Sequence, residues 1–185
     1  MLSAEQRRAL KTLVYQLPSN YDADSENILS AVCILLIEQS NSLILTKRCD
    51  HLPSHPGQIC FPGGKYSQED TDLTSTAYRE TWEEIGIERS RITQIGYLEA
   101  MHSLSGFFVQ PIFGLIKCLE PYHINPSEVD ELFTVPLDIV MDANNYQSHQ
   151  LQRGDQSLRY YSLGYGKHHI WGITATILYK LGQSI

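Results

Sequence analysis

The sequence contains no apolar run long enough to cross a bilayer, no CxxC pair, no excess of positive charge, no internal repeat and no low-complexity tract. A membrane-spanning helix needs about 20 consecutive apolar residues, and no stretch approaches that length, so no membrane partner is expected. The four cysteines, Cys33, Cys49, Cys60 and Cys118, are scattered, which suits buried thiols in a reducing cytoplasm better than a disulfide framework or zinc site. With 14 basic against 21 acidic residues and a formal net charge of -7, the chain offers no basic track for a phosphate backbone. Nucleic acid is therefore not an expected partner. A small anionic ligand remains compatible, provided that metal ions neutralise it.

The sequence does contain 185 residues that are 42% hydrophobic, with charges of both signs throughout, enough for one domain with a sizeable core. Residues 1–185 are read as that single domain, with an N-terminal helix and loop over 1–27 and a core over 28–182. The opening MLSAEQRRALKTLVYQL places apolar residues at helical spacing between charges, unlike a signal peptide, so a cytoplasmic protein is expected.

Ile28–Ile37 reads as a buried strand, and Asn41-Ser42 turns it into a second at Leu43–Lys47. The stretch from Asp50 to Gly57 holds two prolines and a glycine and must be irregular; Gln58–Phe61 is a further short strand. From about Thr71 to Ile85 the pattern is helical, with Leu73, Ala77, Thr81 and Ile85 on one face and Gly86 as the stop. Strands are expected at Ile92–Ala100, Phe107–Lys117, Leu158–Leu163 and His168–Trp171. Helices are expected to open at Pro126-Ser127-Glu128, capped by Ser127 or Asn125, and to close the chain over Gly172–Leu181. This order favours an α+β fold, a mixed sheet with helices packed on it.

The most informative segment is Arg79-Glu80-Thr81-Trp82-Glu83-Glu84-Ile85-Gly86-Ile87. On a helix, Glu80, Glu83 and Glu84 share a face. Like charges at this spacing oppose the helix, and so does their place near its C-terminus. Arg79 can pair with Glu83 at i,i+4, but one guanidinium cannot neutralise three carboxylates; hard oxygen ligands gathered on one face suit Mg²⁺ or Mn²⁺. The alternative is a solvated acidic face. The Phe61-Pro62-Gly63-Gly64-Lys65 loop just upstream favours the metal, because its glycines let backbone atoms approach an ion or a phosphate.

Gly64 through Ile87 resembles the Nudix box, Gx5Ex7REUxEExGU, where U is a bulky aliphatic residue. Thr81 departs from the U position, Asp70 stands loosely for the first glutamate, and the loop before Arg79 is one residue longer than the pattern. The resemblance implies a Nudix-like mixed β-sheet sandwiched by helices (α/β/α) and hydrolysis of a diphosphate bond. It makes Glu80, Glu83 and Glu84 ligands of Mg²⁺ or Mn²⁺, with Gly64 beside them, and Arg79 the residue that orients them. Glu128 matches the glutamate that many Nudix enzymes carry outside the box, with Glu131 as the fallback. The general base is then Glu128 or Glu83.

Ile44-Leu45-Thr46-Lys47-Arg48-Cys49, then Gly57 and Phe61-Pro62-Gly63-Gly64, is similar to the second motif of the coenzyme A diphosphatases within this family, LLTxR(S/A)x3Rx3Gx3FPGG. The spacing is kept, while Cys49 replaces Ser or Ala and Pro53 replaces the second arginine. The resemblance implies that coenzyme A or acyl-coenzyme A is the small-molecule partner, cleaved to 3′,5′-ADP and 4′-phosphopantetheine. Arg48, Lys65 and Gly63 are the expected substrate contacts, and dimerisation is common in the family. The alternatives are a Nudix diphosphatase for ADP-ribose, dinucleotide polyphosphates or nucleoside triphosphates, and a non-catalytic nucleotide sensor. Tyr160, Tyr161, Tyr165 and Trp171 either stack on adenine or belong to the core.

Overall fold

The computed structural model describes residues 28–103, 105–153 and 156–183. The helix and loop expected over 1–27 lie outside the described residues. Strand β1 (Ile28–Ile37) is central: Ala31, Cys33, Leu35 and Ile37 point to one face of the sheet, while Ile34 and Leu36 point to the other. Because both faces are covered, the strand reads as an almost unbroken apolar run. It pairs antiparallel with β2 (Ser42–Arg48) through a turn in which Asn41 takes a positive φ of 51°, a conformation that asparagine tolerates better than most residues. On its other side β1 runs parallel to β7 (Phe107–Ile116) over all ten residues.

The remaining strands complete a mixed eight-stranded sheet. β3 (Ile59–Cys60) pairs with β2, β4 (Gly63–Lys65) with β1, and both β5 (Thr93–Tyr97) and β6 (Met101–His102) with β7. β8 (Val129–Pro136) adds to β2. A separate three-stranded sheet is built from β9 (Tyr146–Arg153), β10 (Gln156–Tyr165) and β11 (His168–Trp171).

Helix α1 (Leu73–Ile85) starts at Asp72, whose carboxylate accepts from the Ser75 amide at 2.7 Å while Ser75 Oγ accepts from the Asp72 amide at 3.1 Å. It ends at Gly86 in a left-handed conformation. The expected face of Leu73, Ala77, Thr81 and Ile85 is buried, and its apolar members pack with Cys33, Leu35 and Ile112 on one side of the sheet. The other side is covered by short α2 (Leu137–Met141) and by α3 (Gly172–Gly182), through Leu137, Val140, Ile177, Leu178 and Leu181. Helices therefore lie on both faces, as expected.

One expected element is absent. No helix opens at Pro126-Ser127-Glu128; Asn125 instead closes a turn and the chain enters β8. Val129, Phe133, Thr134 and Val135 are β-branched or aromatic, and they fit a half-buried pleated surface better than a helix. Pro136 then opens α2.

Candidate active site

The carboxylate face of α1 is organised by Arg79. Its Nε and Nη2 donate to Asp70 at 2.9 and 3.0 Å, its Nη1 to Glu80 and Glu83 at 2.9 and 3.0 Å, and its Nη2 also to the Lys65 carbonyl at 3.2 Å. The guanidinium thus locks the two glutamates to the glycine loop as well as to each other. Asp70 also accepts from the Ser67 amide and Thr76 Oγ1, and the Arg79 hydrogen bonds, outweighing burial, hold its carboxyl down at about 2. Its acidity serves the arginine.

Glu84 lies deeper, with 1% of its surface exposed. Burial pushes its carboxyl up to about 8, with Glu80 and Glu128 adding repulsion, while Arg48 and the Gly63 amide pull the other way. Arg48 Nη1 stands 3.6 Å from Glu84 Oε1, yet Glu84 Oε2 and Arg48 Nε are buried without a hydrogen-bond partner. Glu80 is also raised, by burial first, with Glu83 and Glu128 contributing repulsion. Glu83 is about half exposed.

A cleft of about 320 Å³ opens between β1, β3 and β4 on one side and the start of α3 on the other; none of Glu80, Glu83, Glu84 and Glu128 lines it, and it meets the carboxylates through Gly64, where a Cβ would overlap Glu80. Arg48, Gly63, Gly64 and Lys65 are among its lining residues. Its remaining walls are largely apolar, including Ile59, Phe61, Val109, Ile173 and Ile177. Lys65 Nζ sits 5.5 Å from the Phe107 ring centre. Of the four late aromatic residues, only Trp171 borders the cleft; Tyr161 stacks on Tyr179, Tyr160 stacks on His149, and Tyr165 packs on the core.

Glu128 sits in the turn before β8, near enough for its charge to raise both Glu80 and Glu84. Glu131 does not join them: it pairs with Lys167 at 2.9 Å and His168 at 3.3 Å, and the Lys167 bond lowers its carboxyl. It was expected one helical turn from Glu128, but in a strand it is directed elsewhere. Asn125, one of two residues expected to cap a helix here, instead donates through Nδ2 to Glu128 Oε1 at 3.3 Å.

The NUDIX domain family model matches residues 27–152. The "Uncharacterized Nudix hydrolase NudL" proteins of Yersinia pestis (strain Pestoides F) and Yersinia pseudotuberculosis (serotype O:1b) are each 36% identical over 167 residues, covering 90% of this chain and 84% of theirs. The chain belongs to the Nudix family. A Caenorhabditis elegans Ap4A hydrolase, solved as a binary complex, shares the fold at TM-score 0.51 and 17% identity, over 59% of this chain and 80% of that one. A Deinococcus radiodurans protein does so at 0.51 and 14%, over 70% and 84%.

As a Nudix hydrolase, the protein is a diphosphatase, and its family typically needs divalent cations. Among the described residues no three ligands already stand close enough to cage an ion, because Glu80 and Glu83 turn onto Arg79 and Glu84 toward Arg48. The residues nevertheless fit one. Glu84 Oε2 is an orphaned buried acceptor, the donors are hard oxygens, and a Cβ at Gly64 would overlap the Glu80 carboxylate. Thr81, the departure from the Nudix box, is buried and satisfies its hydroxyl on the Ala77 carbonyl at 2.7 Å.

Proposed function

We propose that this Nudix hydrolase splits the diphosphate of coenzyme A or acyl-coenzyme A, releasing 3′,5′-ADP and 4′-phosphopantetheine or its acyl form. One observation carries the reading: the segment whose spacing resembles the coenzyme A motif forms a wall of the cleft. Arg48, Phe61, Gly63 and Gly64 all line it, and Gly64 abuts Glu80. Pro53 precedes Ser54 and His55, which also line the cleft, so Arg48 and Lys65 are the cations offered to the substrate phosphates.

In this reading Glu80, Glu83 and Glu84 hold Mg²⁺ or Mn²⁺. Once bound, such an ion neutralises diphosphate oxygens and lowers the pKa of its water. Arg79 keeps Glu80 and Glu83 oriented toward the glycine loop. The planar fork of Arg48 matches phosphate oxygens, and Lys65 adds a point charge. Glu128 accepts the proton of the attacking water: it neighbours Glu80 and Glu84, whereas Glu83 is committed to Arg79. Glu128→Gln is accordingly expected to lower kcat about 10²–10⁴-fold.

The test is chromatographic product analysis after incubating the protein with coenzyme A and, separately, ADP-ribose, each with Mg²⁺, Mn²⁺ or chelator. Metal-dependent release of 3′,5′-ADP, with ADP-ribose largely intact, supports the proposal. Turnover of ADP-ribose alone favours the second reading, a Nudix diphosphatase for another nucleotide, to which Pro53 points. A Glu84→Gln protein with full activity would remove Glu84 from the metal set.

A further inference from the structure

We infer that Asn125 is a positioning residue that holds Glu128 beside Glu80 and Glu84; this rests on the role proposed for Glu128. Asn125 lies between the end of α1 and that carboxylate, and its polar groups are spent on joining the two. Its backbone amide donates to the Glu84 carbonyl at 2.9 Å, satisfying one of the carbonyls that a helix C-terminus leaves without an internal partner. Its own carbonyl accepts from the Glu128 and Val129 amides at 3.1 and 2.9 Å. The turn that carries Glu128 is thereby fastened to the residue that carries Glu84.

The side chain finishes the arrangement. Oδ1 accepts from the Ser127 amide at 3.1 Å and Ser127 Oγ at 2.7 Å. With the oxygen committed there, the amide is oriented so that Nδ2, a donor only, faces Glu128 Oε1. A flipped amide would set oxygen against carboxylate. On the far side of the turn the Glu128 carbonyl accepts from the Cys49 amide at 2.9 Å, one residue from Arg48. Glu128 is thus tied to α1 on one side and to the end of β2 on the other, and one donor bond aims its carboxylate.

Aspartate at position 125 keeps the acceptor for the Ser127 turn but replaces the donor with a charge that repels Glu128. The experiment is a double-mutant cycle of wild type, Asn125→Asp, Glu128→Gln and the double variant, with coenzyme A and Mg²⁺, or ADP-ribose if only that substrate turns over. Asn125→Asp is expected to lower kcat at least about tenfold with KM within about twofold, and to leave the melting temperature near that of wild type. In the Glu128→Gln background the same change is expected to alter kcat less than about twofold, because coupled residues are not additive.

Equal loss in both backgrounds, or no loss in wild type, overturns the assignment. An inactive Glu128→Gln protein beside a fully active Asn125→Asp protein overturns the positioning role alone. A fully active Glu128→Gln protein removes the role of Glu128 and the assignment with it. If Asn125→Asp does not fold, Asn125→Ser, which keeps a side-chain oxygen for the turn without a charge, enters the same cycle.

Discussion

Asp70 holds Arg79 by two hydrogen bonds and is buried while doing so. Its folded-state pKa, about 2, lies below its ordinary value of 3.8, so its contribution to stability is complete above pH 4 and is lost as pH falls toward 2. Asp70→Asn is expected to cost about 2 kcal/mol at neutral pH, the scale of hydrogen bonds to a charged group. The difference in melting temperature between variant and wild type should shrink from pH 5 to pH 2; a constant difference would mean that the pair contributes through packing. Residues of this kind were only half legible in the sequence. The Arg79–Glu83 pair followed from helical spacing and is present at 3.0 Å. The two bonds from Arg79 to Asp70 depend on how the loop after Gly64 folds back, and no periodicity encodes that.

Among elements, β4 and α1 meet at the glycine pair, and the two glycines have different jobs. Gly63 has φ 156°, and a Cβ on it would overlap the Ala31 carbonyl, which belongs to the central strand. At Gly64 the three atoms nearest to a Cβ all belong to the Glu80 carboxylate, the end of a side chain. Gly63→Ala is therefore expected to destabilise the fold by about 2 kcal/mol or more. Gly64→Ala should keep a near wild-type melting temperature while weakening Mn²⁺ binding and lowering kcat at least about tenfold. Thermal melts and Mn²⁺ titrations of both variants check this, and equal melting temperatures would refute the division of labour. β1 and β7 were legible as largely apolar runs, and α1 and α3 because each buries a face at helical spacing. β8 was misread because Asn125-Pro126-Ser127 looks like a helix start until tertiary pairing with β2 overrides it. β9, with the sequence YQSHQLQR, has almost no apolar alternation and exists as the partner of β10.

At the scale of the molecule, the sheet separates two cores, and the cleft opens on the side where α3 packs. On the proposed reading of acyl-coenzyme A as substrate, the apolar part of its wall, Ile59, Phe61, Val109, Ile173 and Ile177, is the place for an acyl chain. With coenzyme A and its butyryl, hexanoyl and octanoyl esters, kcat/KM is expected to rise up to about fourfold per buried methylene, the equivalent of about 0.8 kcal/mol. Ile177→Trp, which fills the cleft, should flatten the series; a flat series in wild type would assign the apolar walls to another part of the substrate. The parallel pairing of β1 with β7 bears on how the protein is made. The most apolar strand must wait for Phe107–Ile116 to leave the ribosome before it gains its long-range neighbour, and pairings of such high sequence separation form slowly. Until then ILSAVCILLI presents a bare edge to other nascent chains. Fragments ending before Phe107 are the ones that should aggregate, and slower expression at low temperature should favour the soluble product.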